Sequence, residues 1–159
     1  MAATDLYPAA RDLLAKLVSF DTTSRGSNLA LIEFVEDWLG GLGIASRRAP
    51  NAEGTKSNLF ATIGPMVEGG VVLSGHTDVV PVDGQPWTTD PFQLTRKGER
   101  LYGSGTCDMK GFLALALAAA PDFQAANLRR PVHLALSYDE EVGCLGAPDM
   151  IRMIAAELP

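Results

Sequence analysis

The chain has 159 residues, of which 47% are hydrophobic and 20% charged, and this composition predicts one folded domain and argues against a disordered chain. Its net charge of −6 argues against nucleic acid or an anionic membrane as a partner, because both attract basic surfaces. No signal peptide is recognisable, the longest apolar stretch is too short to span a bilayer, and two cysteines make no disulfide framework. We therefore expect a cytoplasmic protein.

Apolar spacing predicts two helices at the start of the chain, over residues 5–20 and 28–39. The first has one apolar face made by four residues, Leu13, Leu14, Leu17 and Val18. Ser27 or Asn28 is expected to cap the second helix, and Gly40-Gly41 to end it.

Strand-forming segments dominate the middle of the chain. Three strands are predicted, over residues 44–48, 58–63 and 71–74. The last of these is a short apolar run, which is typical of a strand buried on both faces. A long loop follows over residues 81–91, and residues 92–95 and 100–102 are predicted to form a hairpin.

The last third of the chain is predicted to contain two helices and one strand. Residues 109–120 form a helix that is apolar nearly all round, so we expect it to be buried. Residues 131–138 form a strand, and residues 147–158 a final helix with Pro148 near its first turn. Helices interleaved with short apolar strands favour a layered α/β domain. Because the chain stops directly after this helix, we expect it to be part of a longer one.

Three segments that contain acidic residues, the first with a histidine as well, lie next to these elements. They are Ser-Gly-His-Thr-Asp-Val-Val-Pro at residues 74–81, Gly-Ser-Gly-Thr-Cys-Asp-Met-Lys-Gly at 103–111, and Tyr-Asp-Glu-Glu-Val-Gly at 138–143. The first and third lie at the carboxyl ends of predicted strands, where open α/β sheets bind ligands. Imidazole and carboxylate groups together suit zinc, cobalt or manganese.

Taken singly, each of these residues has a structural interpretation. Asp108 could cap the helix beside it, His76 could be a hydrogen-bonding loop residue, and Glu140 and Glu141 could be solvated acids. Three such segments are improbable as independent coincidences in one chain, so their combination favours a metal site. His133, inside an apolar strand, is predicted to be structural.

Neighbouring strand residues face opposite ways, so Glu140 and Glu141 can face one site only if the chain leaves the strand there. We predict that turn at Val142-Gly143. Ser104 lacks the glycine two positions earlier that a nucleophile elbow uses. Cys107, with no second cysteine nearby in the sequence, is expected to be a small packing residue.

The three segments resemble the N-terminal motifs of the zinc-dependent aminoacylase and carboxypeptidase family. Pro-Val-Asp-Gly-Gln at residues 81–85 and Trp-x-x-Asp-Pro-Phe at 87–92 extend the resemblance, which covers essentially the whole chain. It implies a layered, zinc-exopeptidase-like α/β catalytic domain with a mostly parallel or mixed central sheet flanked by helices, incomplete at its C-terminus. One departure is Ser104, which stands where the family usually has arginine.

The resemblance also implies roles for five residues. His76, Asp108 and Glu141 would be metal ligands, with Asp108 bridging two metals and followed by a cis peptide. Asp78 would fix the ring of His76, and Glu140 would be the general base. The cofactors would be two divalent metals, zinc or cobalt. The second site would be incomplete, because the family's remaining carboxylate and histidine ligands lie beyond this chain.

The activity implied is removal of the acetyl group from N2-acetyl-L-ornithine, giving acetate and L-ornithine, as in arginine biosynthesis. Another deacylase or dipeptidase of the same family, or a non-catalytic chain that acts as a binding partner, remains an alternative. Residues 1–159 would be the N-terminal portion of the catalytic domain. The lid domain, through which the family forms homodimers, would lie outside it. We expect an exposed apolar surface where strands are missing.

Overall fold

The computed structural model describes residues 5–157, which form a mixed sheet flanked by helices. Ten elements are present in this range, and we number them in chain order. They are α1 (Tyr7–Val18), α2 (Leu29–Gly41), β1 (Ser46–Pro50), β2 (Ser57–Ile63), β3 (Val71–His76), β4 (Thr95–Lys97), β5 (Arg100–Tyr102), α3 (Lys110–Ala125), β6 (Val132–Ser137) and α4 (Ala147–Glu157). The fold class expected from the sequence is confirmed.

The main sheet has the strand order β1-β2-β6-β3. β1 pairs with β2 and β2 with β6 in antiparallel fashion, whereas β3 and β6 are parallel. His76 at the end of β3 lies opposite Ser137 at the end of β6. The segments that follow these two strands therefore leave the sheet at the same edge, and β4 and β5 form the separate predicted hairpin.

Side chains alternate across β2, so the two faces of the sheet build two apolar clusters. Leu59, Ala61 and Ile63 belong to the main core with residues of α1, α2 and α3. Phe60 points the other way and packs against Met150 of α4. Helices thus cover both faces of the sheet.

The prediction that β3 is buried on both faces is wrong. Within residues 5–157, β3 pairs with β6 alone and forms an edge, and Val71 and Val72 are 58% and 48% exposed. The expectation that α3 is buried all round is also wrong, because Leu115 is 53% exposed. Val71 and Val72 thus form an exposed apolar surface on this edge strand. α3 also continues past residue 120 through Pro121 to Ala125.

Element ends differ from the predictions where side chains take other partners. Asn28 is the N-cap residue of α2, but its side chain makes no capping bond and instead donates to Ser57 O and Thr77 Oγ1. Ser27 Oγ accepts a hydrogen bond from the amide of Leu29 at 3.2 Å. The helix runs on through Gly41. The predicted last residue of α4, Leu158, lies outside the described residues.

Both cysteines are exposed free thiols. This agrees with the absence of a disulfide framework, and the prediction that Cys107 packs inside the protein is wrong. None of the helices within residues 5–157 is long and apolar enough to cross a membrane.

His133 has a structural environment in β6. Its ring stacks on Phe60 with centroids 5.3 Å apart, and its Nδ1 lies 2.9 Å from Thr62 Oγ1. Burial lowers the pKa of His133 below the ordinary value of 6.5. These contacts lie within the sheet, as expected for a histidine of the core.

His133→Phe is expected to make the free energy of unfolding less dependent on pH below 6.5. Because the folded-state pKa is lowered, the unfolded chain binds more protons as the pH falls through this range. The contribution of His133 to stability is thus present above 6.5 and is lost as the pH falls toward the lower folded-state pKa. Urea unfolding of both proteins above and below this pH measures the difference. Identical pH slopes would contradict the assignment.

Candidate metal centre

His76 ends β3 and carries the only imidazole that the described residues place at this edge of the sheet. It is 5% exposed, and its Nδ1 donates to the carbonyl oxygen of Asp78 at 3.0 Å. This bond leaves Nε2 facing Asp108 Oδ1 at 3.0 Å and Glu140 Oε2 at 3.8 Å. The Asp78 carboxylate, 3.5 Å from Nδ1, raises the pKa of His76 to about 9 against the opposing effect of burial.

Asp78 is 2% exposed and accepts hydrogen bonds from two sides of the site. Ser24 Oγ donates to Oδ2 at 2.7 Å, and the amides of Glu140 and Glu141 donate at 3.1 and 3.2 Å. Burial opposes the charge, but the contact with His76 and these hydrogen bonds outweigh it and lower the pKa of Asp78 to about 2. Asp78 therefore contacts His76 through both its carbonyl oxygen and its carboxylate, and this carboxylate also accepts the amides of the segment that carries the two glutamates.

The chain leaves the β6 strand earlier than predicted. Asp139 has a φ of 57°, in the left-handed region, and redirects the backbone two residues after the strand ends at Ser137. The prediction that Val142-Gly143 makes this turn is wrong, although Gly143 closes a later turn onto the carbonyl of Glu140. Because both glutamates lie off the strand, ligand atoms of His76, Glu140 and Glu141 all fall within 4.8 Å of one another.

Asp108 reaches the same place from the loop between β5 and α3. Its side chain is 75% exposed, and its Oδ1 lies 3.0 Å from His76 Nε2. The peptide between Asp108 and Met109 is cis, as the resemblance implied. Met109 is the N-cap residue of α3, and no side-chain capping bond is formed there, so the helix-cap interpretation of Asp108 is not supported.

Lys110 fastens this loop to the body of the domain. The side chain is fully buried, and its ammonium donates to the carbonyl oxygen of Phe20 at 2.7 Å. Burial lowers the pKa of Lys110 to about 8. Gly105, with a φ of 79°, packs on the lysine stem so closely that a Cβ there would lie 3.0 Å from Lys110 Cδ. Ser104, in place of the usual arginine, is buried, and its amide donates to Pro91 O at 2.7 Å.

Gly111→Ala is expected to lower the free energy of unfolding by about 1–3 kcal/mol, as over-packing does. The added Cβ would lie 2.3 Å from the carbonyl oxygen of Thr106, a backbone atom that cannot move without the loop. The matched control is Gly40→Ala in α2, where nothing lies within 4 Å of the added carbon. This control is expected to stabilise the protein by up to about 1 kcal/mol. Denaturant unfolding of both variants tests the contrast, and equal stabilities would refute it.

The side chains at this edge fit a divalent cation. One imidazole nitrogen and several carboxylates converge, and these are the donors that zinc and related metals take in hydrolytic sites. Burial raises the pKa of Glu141, His76 opposes this rise, and the neighbouring carboxylates of Asp108, Asp78 and Glu140 add to it. A cation at this position would offset that repulsion. The residues whose ligand atoms lie close enough to share a metal ion are His76, Glu140 and Glu141. Asp108 contacts this group through His76 Nε2.

Several residues that shape the site were not found from the sequence. Asn58, fully buried at the start of β2, donates to Gly146 O and accepts from the amide of Tyr138. Ser24, Lys56 and Asp139 connect the loop after α1 to the glutamate turn. The run of polar residues Lys56, Ser57 and Asn58 at the start of an otherwise apolar strand was the available signal.

A mixed sheet flanked by helices, with an imidazole and carboxylates at one carboxyl edge, places this chain among α/β domains with a candidate metal site. Residues 72–158 match the family model "Peptidase family M20/M25/M40", and the chain belongs to this family. Enzymes of this family are metal-dependent hydrolases.

Curated relatives include two bacterial proteins named acetylornithine deacetylase. The protein of Pasteurella multocida (strain Pm70) is 43% identical over 136 residues, which are 84% of this chain and 35% of that protein. The protein of Proteus mirabilis (strain HI4320) is 43% identical over 141 residues, 86% of this chain and 36% of that protein. The chain thus spans about a third of the length of these relatives.

Solved structures support the fold. An M20 family metallo-carboxypeptidase from Sulfolobus solfataricus superposes with a TM-score of 0.79 at 24% identity, over 94% of this chain and 35% of that one. Human carnosine dipeptidase 1 gives a TM-score of 0.77 at 23% identity, over 96% of this chain and 36% of that one. At these identities the likeness concerns the fold alone.

Proposed function

We propose that this chain belongs to a metal-dependent amidohydrolase that removes the acetyl group from N2-acetyl-L-ornithine, giving acetate and L-ornithine. The convergence of His76, Asp108, Glu140 and Glu141 at one edge of the sheet carries the proposal of metal-assisted hydrolysis. The choice of substrate is supported by the identity to acetylornithine deacetylases over most of the chain.

Residues 1–159 are proposed to be the N-terminal portion of the catalytic domain, with the lid and dimerisation domain and the C-terminal catalytic segment outside it. The whole protein would then be a cytoplasmic homodimer of arginine biosynthesis. Its partner would be a small N-acyl amino acid. The net charge of −6 argues against nucleic acid and anionic membranes as partners.

The proposed ligands are His76, Asp108 and Glu141, and the cofactors two divalent ions, zinc or cobalt. When bound, such ions polarise the amide carbonyl and make water easier to deprotonate. Glu140, whose carboxylate is exposed at the site, takes the proton of the attacking water and returns it to the leaving amine. Asp78 keeps His76 and the glutamate turn in place throughout.

A cavity of ≈ 260 Å³ borders this group of residues. Asp108 and Glu141 line one side of it, and Gln85, Trp87 and Val80 line other parts. A small substrate in this cavity would lie directly beside the carboxylates. We propose that it receives part of the acyl amino acid.

The test is release of free amine from three substrates, N2-acetyl-L-ornithine, N-succinyl-L,L-diaminopimelate and a dipeptide, with added zinc or cobalt. Both the 159-residue chain and the product of the complete reading frame are assayed. We expect the complete product to release ornithine and acetate in equal amounts and to cleave the other substrates more slowly. Preference for the succinyl substrate or the dipeptide would assign another member of the family. Metal uptake without any hydrolysis would support the non-catalytic alternative.

A further inference from the structure

Lys56 and Asp139 form a nearly buried ion pair beside the proposed metal centre. Lys56 Nζ lies 2.5 Å from Asp139 Oδ1, and their side chains are only 14% and 12% exposed. The same ammonium donates to the carbonyl oxygen of Ser24, also at 2.5 Å. Lys56 precedes β2, so a single side chain joins three segments that are distant in sequence.

Asp139 is the residue at which the chain turns away from β6. Its φ of 57° is uncommon for a residue other than glycine and persists only where the surroundings hold it. The next two residues are Glu140 and Glu141, whose carboxylates belong to the metal-binding group. Whatever fixes Asp139 therefore also sets the direction of both glutamates.

Ser24 connects the other end of this contact to Asp78. Its Oγ donates to Asp78 Oδ2 at 2.7 Å, and its amide donates to Val79 O at 3.2 Å. Asp78 in turn accepts the amides of Glu140 and Glu141. Lys56, Asp139, the glutamate turn, Asp78 and Ser24 thus form a closed ring of contacts around the site.

The charges at the site determine how the turn would respond if this ring of contacts were broken. Ligand atoms of His76, Glu140 and Glu141 lie within 4.8 Å of one another, Asp108 Oδ1 lies 3.0 Å from the same histidine, and Asp78 accepts the amides of both glutamates, so several carboxylates are crowded together when no cation is bound. Removing the Lys56 ammonium would add a nearly buried, unpaired Asp139 carboxylate to this set. The turn could relieve the repulsion by opening toward solvent, where Glu140 is already exposed.

We propose that Lys56 and Asp139 are positioning residues, which hold the Glu140–Glu141 turn against Asp78 and so keep its carboxylates in place for a metal ion. The part that concerns metal rests on the proposed function. The part that concerns the turn does not, and it is measurable on the metal-free chain.

The experiment compares wild type with Lys56→Met and Asp139→Asn. Lys56→Met removes the ammonium and leaves the aspartate unpaired. Asp139→Asn removes the charge but keeps a residue type that tolerates the left-handed conformation, so it tests the pair even if Lys56→Met fails to fold. The matched control is Arg48→Met, which breaks a 2.5 Å ion pair with Glu36 between β1 and α2.

The first measurement is amide hydrogen exchange in EDTA. Both site variants are expected to exchange the amides of Glu140 and Glu141 at least about tenfold faster than wild type, because these amides lose their hold on Asp78. The amide of Leu134, in the middle of β6, serves as the internal reference and is expected to be unchanged. Wild-type exchange at both glutamates in folded Asp139→Asn would overturn the proposal.

The second measurement is zinc affinity by calorimetric titration. Zinc binding is expected to weaken at least about tenfold in both site variants and to stay at the wild-type value in Arg48→Met. Faster exchange with unchanged zinc affinity would overturn the link to metal. If wild type itself takes up no zinc, the proposed function fails, and the exchange rates alone decide whether the pair holds the turn.

Discussion

Glu140→Gln is expected to lower kcat for N2-acetyl-L-ornithine by about 10²–10⁴ while zinc retention stays at the wild-type level. Glutamine has nearly the shape of glutamate but cannot take a proton from water. The backbone amide of residue 140, which donates to Asp78, is unaffected by this change. The product of the complete reading frame is assayed for amine release, and zinc is counted after dialysis.

Glu141→Gln is the matched variant, because it makes the same chemical change one residue further along. Because Glu141 is a proposed ligand, Glu141→Gln is expected to weaken zinc binding and, through that loss, to lower activity. Excess zinc should therefore restore part of the rate. Glu140→Gln is not expected to respond to zinc. Since ligand atoms of both residues lie within 4.8 Å of a His76 nitrogen, loss of zinc in Glu140→Gln would assign Glu140 as a ligand instead of the general base.

Asp78→Asn is expected to lower the free energy of unfolding of the metal-free chain by about 1.5–3 kcal/mol, the contribution of hydrogen bonds to a charged group. The carboxylate is nearly fully buried and accepts hydrogen bonds from Ser24 Oγ and two backbone amides. An asparagine side chain offers one oxygen in place of two and turns an NH₂ group toward one of these donors. Urea unfolding in EDTA measures the loss.

The pH dependence of this variant gives a second check. The folded-state pKa of Asp78 is about 2, below its ordinary value of 3.8, so its contribution to stability is present above 3.8 and is lost as the pH falls toward 2. Asp78→Asn should therefore show a flatter loss of stability in that acid range. The control is Asp83→Asn, which breaks an exposed ion pair with Arg25 and should change stability by less than about 1 kcal/mol. Equal effects in both variants would contradict the role of Asp78.

The element types could be predicted because they depend on local periodicity. The apolar spacing of α1, α2 and α3 and the short apolar runs of β2, β3 and β6 appear in the structure at nearly the predicted positions. Burial was less predictable, because an apolar run has the same appearance whether or not a neighbouring strand covers it. Val71 and Val72 look like core residues in the sequence, yet in the described part of the chain they lie on an edge strand.

The sequence by itself determined that an imidazole and a pair of glutamates lie at or just after the ends of two strands, since residue type and strand pattern are both local. The parallel pairing of β3 with β6, which brings those ends together, was decided only by the tertiary structure. So were the turn at Asp139 and the contact of its carboxylate with Lys56, 83 residues away. Such contacts depend on the order of strands in the sheet and on the pairing of oppositely charged side chains in a nearly buried position. Neither leaves a periodic signal in the chain, because the partners lie far apart in sequence.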